Sequence, residues 1–296
     1  MNLFDRKFGK SFLDQVPSKP GIYEFTTEGK TIYVGQSRNL HRRLGQYKNA
    51  KRRKKHAKMR AIIAGATSLR FEVCESHEQA CLRETSVIQA LRPKWNTAGA
   101  FFFLYPQIGI AHDGDRLWLC YSTRPDELST ALAGNVSLDF RLDFHGSFRS
   151  RSTTLAAFFS LSKLLSYLGY RVPARTIFGK QWRAKIPRYA LITCFRQIAD
   201  EEMKSWTAFF SGESPKALEA LTLQLLEKAS ARAQSRLVEE HLKTLRTFWR
   251  HEARPLLAAR GSCGFTEYPV PQKMRDPIFI QSRFQKERAT VSVSEL

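Results

Sequence analysis

The spacing of apolar and polar positions changes several times along the chain. GIYEFTT and KTIYVG alternate around Glu28-Gly29, so residues 21–35 read as a β-hairpin. Tyr23 and Phe25 fall on one face of its first strand, and Tyr33 is expected to share a face with Thr31 on its second. The period then lengthens: Leu40, Leu44 and Tyr47 recur at helical spacing behind Asn39, which suits an N-cap. A second helix is expected around 57–65, and SLRFEVCE alternates like a half-buried strand. Ser76 and Gln79 form a capping box that opens a further helix, and Pro93 stops it after Leu91. Residues 16–100 therefore read as a compact α+β unit, a small three-stranded antiparallel sheet flanked by helices.

The texture differs beyond 101. FFFLYPQIGI and RLWLCYS read as two strands about an Asp-Gly-Asp turn, and VSLDFRLDF as a third. SRSTTLAAFFSLSKLLSYLG reads as a helix capped by Ser152 and ended by Gly169. Ser214-Pro215 opens another helix, and Leu218, Leu221, Leu225, Ala229, Ala233, Val238, Leu242, Leu245 and Trp249 keep a rough helical spacing, as two helices folded back on each other would. The expected order is an N-terminal unit over 1–100, a mixed α/β region over 101–200, a helical region over 201–255 and an extended or mobile tail over 256–296. The tail assignment rests on the four prolines from Pro255 onward and on weak periodicity.

Charge narrows the choice of partner. The chain carries 48 Lys and Arg against 27 Asp and Glu, a net +21, which favours a polyanion and nucleic acid first. Residues 1–100 hold 20 of the basic and 8 of the acidic residues, so +12 of the excess lies there. KNAKRRKKHAKMR over 48–60 is the densest stretch, eight basic residues in thirteen; it suits phosphate tracking and shows no base-reading pattern. No apolar run approaches the ~20 residues of a spanning helix, and MNLFDRKFGK lacks a signal peptide's apolar centre, so no membrane partner and a cytoplasmic location are expected. The five cysteines show no metal-ligand spacing, so neither zinc nor an iron–sulfur cluster is expected.

Two polar residues sit where the apolar pattern predicts a buried face. Glu84 lies one turn from Cys81 and Ile88 and two from Leu91, and an unpaired carboxylate there would cost several kcal/mol. It needs a metal, an arginine or an open cleft. Arg43 sits between Leu40 and Tyr47 at the edge of its own helix's apolar stripe, so a Glu84–Arg43 salt bridge with the tyrosines as packing is one structural reading.

GIY at 21–23, YVG at 33–35, SRNLHRR ending at Arg43, the Glu84 helix and RPKWN ending at Asn96 resemble, in order, the elements of the GIY-YIG endonuclease family, and most closely its UvrC/Cho branch. The resemblance implies phosphodiester hydrolysis with one divalent ion, Mg²⁺ or Mn²⁺, held by Glu84. It implies Tyr33 as the general base, Tyr23 orienting it or the attacking water, and Arg43 on a phosphate oxygen. Asn96 and Tyr47 match positions that orient the site and substrate. Gln36, His41, Lys51, Arg52, Arg53, Lys54, Lys55 and Lys58 complete the expected substrate contacts. Gln36 departs from the lysine of many UvrC-type domains, which predicts slower turnover or a higher pH optimum; His41 either compensates in part or is an ordinary exposed histidine.

Residues 101–255 show a weaker resemblance to the region after that nuclease in UvrC, carried by FFFLYPQIGI, GSFRSRSTTLAAFFSLSKLL and FFSGESPKALEALTLQLLEKAS. The cysteine quartet of many UvrC proteins is absent, and ARAQSRLVEEHLKTL follows the spacing of the UvrB-binding motif without its Leu-Glu-Phe-Glu core. A second nuclease and C-terminal DNA-binding hairpins are also absent, so one kind of nick is expected. DNA is the expected substrate, a UvrB-like loading protein the expected partner and excision repair the expected setting. The alternatives are nuclease duty in a mobile element, restriction or branched-DNA processing, or a catalytically weak binding adaptor.

Overall fold

The computed structural model describes all residues except 52, 114–115, 134–141, 174, 177–185, 230–232 and 295–296. It divides into one unit of Met1–Phe102 with Arg283–Leu296 and a second of Phe103–Ser282.

In the first unit, β1 (Gly21–Thr27), β2 (Lys30–Ser37) and β3 (Ser68–Val73) form an antiparallel sheet in the order β2-β1-β3. The central strand β1 is buried from Gly21 to Thr26 because helices cover both faces. On one face Tyr23 and Phe25 pack with Leu40, Leu44 and Tyr47 of α2 (Leu40–Lys48) and with Ile62 and Ile63 of α3 (Ala57–Gly65). On the other, Ile22 and Val34 pack with Ala80, Val87 and Ile88 of α4 (His77–Leu91). Asn39 caps α2 by accepting the Arg42 N–H at 2.8 Å, and Ser76 caps α4 by accepting that of Gln79 at 3.1 Å. A shorter helix α1 (Leu3–Phe8) adds Phe4 to the first of these cores.

The hairpin contains a device that the alternation did not reveal. Its turn residues Glu28 and Gly29 have φ of 49° and 75°, and they pair Thr27 with Lys30 and Thr26 with Thr31. A bulge then shifts the register, so Phe25 lies opposite Tyr33 and Tyr23 opposite Gly35. The shift inverts the alternation of β2. Thr31, expected beside Tyr33, instead donates its hydroxyl to Glu24 at 2.8 Å on the opposite face.

In the second unit, β4 (Gln107–Asp113), β5 (Arg116–Ser122), β6 (Asp143–Gly146), β7 (Arg171–Val172) and β8 (Ala190–Phe195) form an antiparallel sheet ordered β6-β4-β5-β8-β7. Residues 102–104 of the expected first strand form a 3₁₀ turn, and 136–141 of the expected third lie outside the described residues. Leu161, Leu164 and Leu165 of α6 (Arg151–Tyr167) cover one sheet face, with Ser150 rather than Ser152 as cap. The other face takes Leu128 and Leu132 of α5 (Pro125–Ala133). Helices α7 (Asp200–Ser211), α8 (Lys216–Glu227) and α9 (Ser235–Phe248) extend the larger core through Trp206, Leu221 and Leu245.

The expected extended tail is instead helical. After a π-helical turn at Trp249–Ala253 come α10 (Arg254–Ser262) and α11 (Arg275–Ser294). Three of the tail's prolines fall at helix starts or between helices: Pro255 in the first turn of α10, Pro271 ahead of a 3₁₀ turn and Pro277 in the first turn of α11. Leu256, Val270 and Ile278 are buried in the second unit's core.

Candidate active site

Gly21 and Gly35 belong to the site because nothing larger fits. A Cβ on Gly35 would stand 2.3 Å from the Tyr23 hydroxyl, and one on Gly21 would stand 2.2 Å from the Glu72 carbonyl oxygen. The bare Cα of Gly35 lets the Tyr23 ring lie across β2, where its hydroxyl accepts the Arg43 Nε–H at 3.0 Å. The Tyr47 hydroxyl is 3.4 Å from the same atom, and the Tyr23 and Tyr33 ring centres are 6.2 Å apart.

These phenols occupy different environments. Tyr23 is fully buried, and burial first and Tyr33 second push its pKa far above the phenol range, against the pull of Arg43. Tyr47 is also buried, and burial pushes its phenol up as well. Tyr33 is half-buried, and its hydroxyl makes no hydrogen bond among the described residues. Lys58 places its ammonium 5.2 Å from the Tyr33 ring centre.

Arg43 is partly committed. Its Nε bonds Tyr23 and its Nη1 donates to Gln46 at 2.7 Å, leaving Nη2 for a further partner. No ion pair joins it to Glu84 among the described residues, so the salt-bridge reading of these two residues fails. Arg43 still acts on Glu84 through space. Burial pushes the Glu84 carboxyl up to about 7, while the Gln36 main-chain N–H and the charge of Arg43 pull it back. Leu91, expected on the same buried face, is exposed because α4 ends there with Arg92 in the left-handed conformation.

Asn96 holds the edge of β2. Its Oδ1 accepts the Val34 N–H at 2.8 Å and its Nδ2 donates to the Val34 carbonyl at 2.9 Å, while the Trp95 N–H reaches the Ile32 carbonyl at 3.0 Å. The Asn96 contacts are to the backbone of the residue after Tyr33. Tyr47, expected to touch substrate, is walled into the core and braces Tyr23 instead, because helical spacing from Leu40 and Leu44 turns it inward.

His41 is exposed on the outer side of α2, lining an open groove with Gln46 and His56, and the structure does not bring it to Glu84. Lys51, Arg53, Lys54, Lys55 and Lys58 are exposed; Arg52 lies outside the described residues. The basic stretch is folded rather than free. Arg60 donates to the carbonyls of Lys51 at 2.6 Å and Arg53 at 2.9 Å, and the His56 ring accepts the Lys51 N–H at 3.0 Å.

The sequence reading missed His77, which meets Gln36, and Arg38, which meets His77. Gln36 Oε1 is 2.8 Å from His77 Nε2, and Arg38 Nε donates to His77 Nδ1 at 3.0 Å. It also missed α11, whose Phe284 ring meets that of His77 at 5.3 Å and whose Arg288 binds Glu78 at 2.6 Å. Neither had a local signal: His77 lies 39 residues from Arg38 and 41 from Gln36, and Arg288 of α11 lies 210 from Glu78.

The donor set suits a hard divalent ion. Glu84 is a partly buried carboxylate with no cationic partner, and no group of three or more His, Cys, Asp or Glu that could hold a metal exists among the described residues. Such an ion would take most of its oxygens from water and substrate, the habit of Mg²⁺ and Mn²⁺.

Tyrosines across a glycine-gapped hairpin, an arginine beneath them and a glutamate from the covering helix define a GIY-YIG nuclease domain. Residues 19–97 match the family described as the UvrC-like GIY-YIG domain. UvrABC system protein C of Legionella pneumophila is 35% identical over 105 residues, 35% of this chain and 17% of that protein. The protein of the same name from Oenococcus oeni is 28% identical over 212 residues, 69% of this chain and 31% of that protein. The GIY-YIG N-terminal endonuclease domain of UvrC from Thermotoga maritima, solved bound to its catalytic magnesium, is 30% identical, with 29% of this chain and 91% of that chain covered and a TM-score of 0.26. The chain thus spans under a third of the length of these curated relatives. No described helix is long and apolar enough to cross a membrane.

Proposed function

We propose that this chain is a metal-dependent DNA endonuclease that hydrolyses one phosphodiester bond to leave a single-strand nick, acting in excision repair in the cytoplasm. The observation that carries the reading is Glu84, a partly buried carboxylate raised to about 7 that has no ion-pair partner among the described residues, held by the Gln36 main-chain N–H and within the field of Arg43, whose Nη2 remains open. Glu84 would hold one Mg²⁺ or Mn²⁺, which when bound supplies positive charge at the scissile phosphate and its leaving oxygen.

The remaining work falls to the chain's own residues. Tyr33 is the phenol that water can reach, so it receives the proton of the attacking water. Tyr23 stays protonated in the core, and its hydroxyl fixes the Arg43 guanidinium. Nη2 of Arg43 then holds a non-bridging phosphate oxygen as charge builds there. Gln36 adds side-chain N–H donors at the end of β2, and Asn96 keeps that strand in place. The folded basic loop, through Lys51, Arg53, Lys54, Lys55 and Lys58, tracks neighbouring phosphates without reading bases.

The test incubates the purified chain with Mg²⁺ or Mn²⁺ and labelled nicked, branched, damaged and plain duplexes, with and without UvrB. Metal-dependent nicking that Glu84→Gln abolishes, with DNA binding retained, is expected. Cleavage that survives in Glu84→Gln would remove Glu84 from the mechanism. A faster or more selective nick with UvrB supports a loading partner of that kind, and no effect of UvrB argues against one.

A further inference from the structure

We infer that His77 is a positioning residue of this site: together with Arg38 it fixes which end of the Gln36 carboxamide faces the cleft. The inference rests on the endonuclease reading above, and it follows from the donor inventory of three side chains. Arg38 Nε can only donate, so His77 Nδ1, 3.0 Å away, must present a lone pair. A neutral imidazole with a bare Nδ1 carries its hydrogen on Nε2. That nitrogen is 2.8 Å from Gln36 Oε1, so donor meets acceptor and the carboxamide oxygen is held. The Gln36 NH₂ group is thereby turned away from His77, and it has no hydrogen-bond partner among the described residues.

Residue 36 then acts from both its ends. Its main-chain N–H holds the Glu84 carboxylate, and its side chain presents two neutral N–H donors that suit a phosphate oxygen. A carboxamide flipped end for end would instead turn an oxygen toward that anion. His77 prevents the flip.

The ring itself is clamped. The Phe284 ring, itself buried, meets it at 5.3 Å, and Cys81 Sγ lies 3.6 Å from Nε2 and takes a hydrogen bond from Arg283 at 3.3 Å. Burial first, then the charges of Arg38 and Arg283, push the imidazole below its ordinary pKa against the opposing pull of Glu287, which keeps it neutral. The last helix is thus part of what orients the site.

A packing role for His77 predicts a different response to substitution. His77→Phe keeps a ring against Phe284 and removes both nitrogens. The decisive experiment is a cycle of His77→Phe, Gln36→Ala and the double variant, read as single-turnover cleavage of a labelled duplex in Mn²⁺, with Tm followed in parallel. His77→Phe alone is expected to slow cleavage about 10–100-fold, the usual effect of losing a group that orients another. In the Gln36→Ala background the same change should cost less than about twofold, since nothing remains to orient. Losses that multiply would mean that His77 acts through the fold, and the inference would fall.

A second measurement does not depend on cleavage. In protein labelled with ¹⁵N-histidine, the His77 signals, recognised by their absence in His77→Phe, should report the Nε2–H tautomer at neutral pH. An Nδ1–H tautomer or a charged ring overturns the inference. A wild-type chain that cuts no DNA overturns the endonuclease reading instead, and the tautomer still decides whether Gln36 is held.

Discussion

The raised carboxyl of Glu84 gives the sharpest quantitative test. A divalent ion binds the carboxylate form, so metal binding must displace a proton wherever Glu84 is protonated. With a carboxyl pushed up to about 7, the apparent affinity for Mn²⁺ should climb about tenfold per pH unit below neutrality and level off above it. Between pH 5 and pH 8 the total change is about a hundredfold, or ~2.7 kcal/mol. A glutamate titrating at the ordinary 4.5 would change by less than about twofold over that range.

The same shift acts on stability with a definite sign. A folded carboxyl raised above its unfolded value favours the metal-free fold fully below about 4.5, and that contribution is lost as pH rises through about 7. The loss is at most ~3 kcal/mol, so the Glu84→Gln protein should be the more stable of the two at pH 8 without metal. Calorimetric titration with Mn²⁺ at several pH values, in buffers of different ionisation enthalpy, measures both the affinity and the protons released. An affinity flat between pH 5 and pH 8, or a pH dependence that survives in Glu84→Gln, would refute the assignment.

Three further outcomes concern the hairpin and one the basic loop. Tyr33→Phe should slow single-turnover cleavage by ~10² or more with little change in Tm, since its hydroxyl bonds nothing in the described fold. Tyr23→Phe should cost ~1–3 kcal/mol in denaturant unfolding, because Arg43 Nε loses its acceptor, and should slow cleavage less than Tyr33→Phe does; the opposite ranking of rates would exchange the two roles. Gly35→Ala should destabilise by ~1–3 kcal/mol and slow cleavage, because its Cβ meets the Tyr23 hydroxyl at 2.3 Å; unchanged Tm and rate would mean that the close approach is unimportant. Replacing Arg53, Lys54, Lys55 and Lys58 by alanine should weaken binding to all DNA sequences alike and flatten the slope of log K against log salt, by ~0.9 for each duplex phosphate that the loop no longer neutralises. An unchanged slope would leave the loop as a solvated surface.

Local chemistry made much of the first unit legible. Asn39 and Ser76 cap helices because a short polar side chain beside a free N–H does so wherever it occurs, and Pro93 ends α4 for an equally local reason. Glu84 and Arg43 stood out because charge on an apolar stripe needs an explanation. The sequence alone determined the hairpin, the order of its elements and the basic loop, and it nominated the candidate site residues. It did not determine how they meet.

That was decided by the tertiary structure. A two-residue turn pairs Thr27 with Lys30, and continued without a break that register would put Tyr33 opposite Glu24, on the other sheet face from Tyr23. One bulged residue restores both phenols to one face. Burial then separates their environments, leaving Tyr33 half-exposed and sealing Tyr23 and Tyr47 into the core. The last helix presented only prolines and a weak period in sequence, yet its Arg283 and Phe284 reach Cys81 and His77. Periodicity reports which face of an element is apolar. It cannot report a register shift of one residue, or a partner two hundred residues away, because those are settled by packing that exists only once the chain has folded.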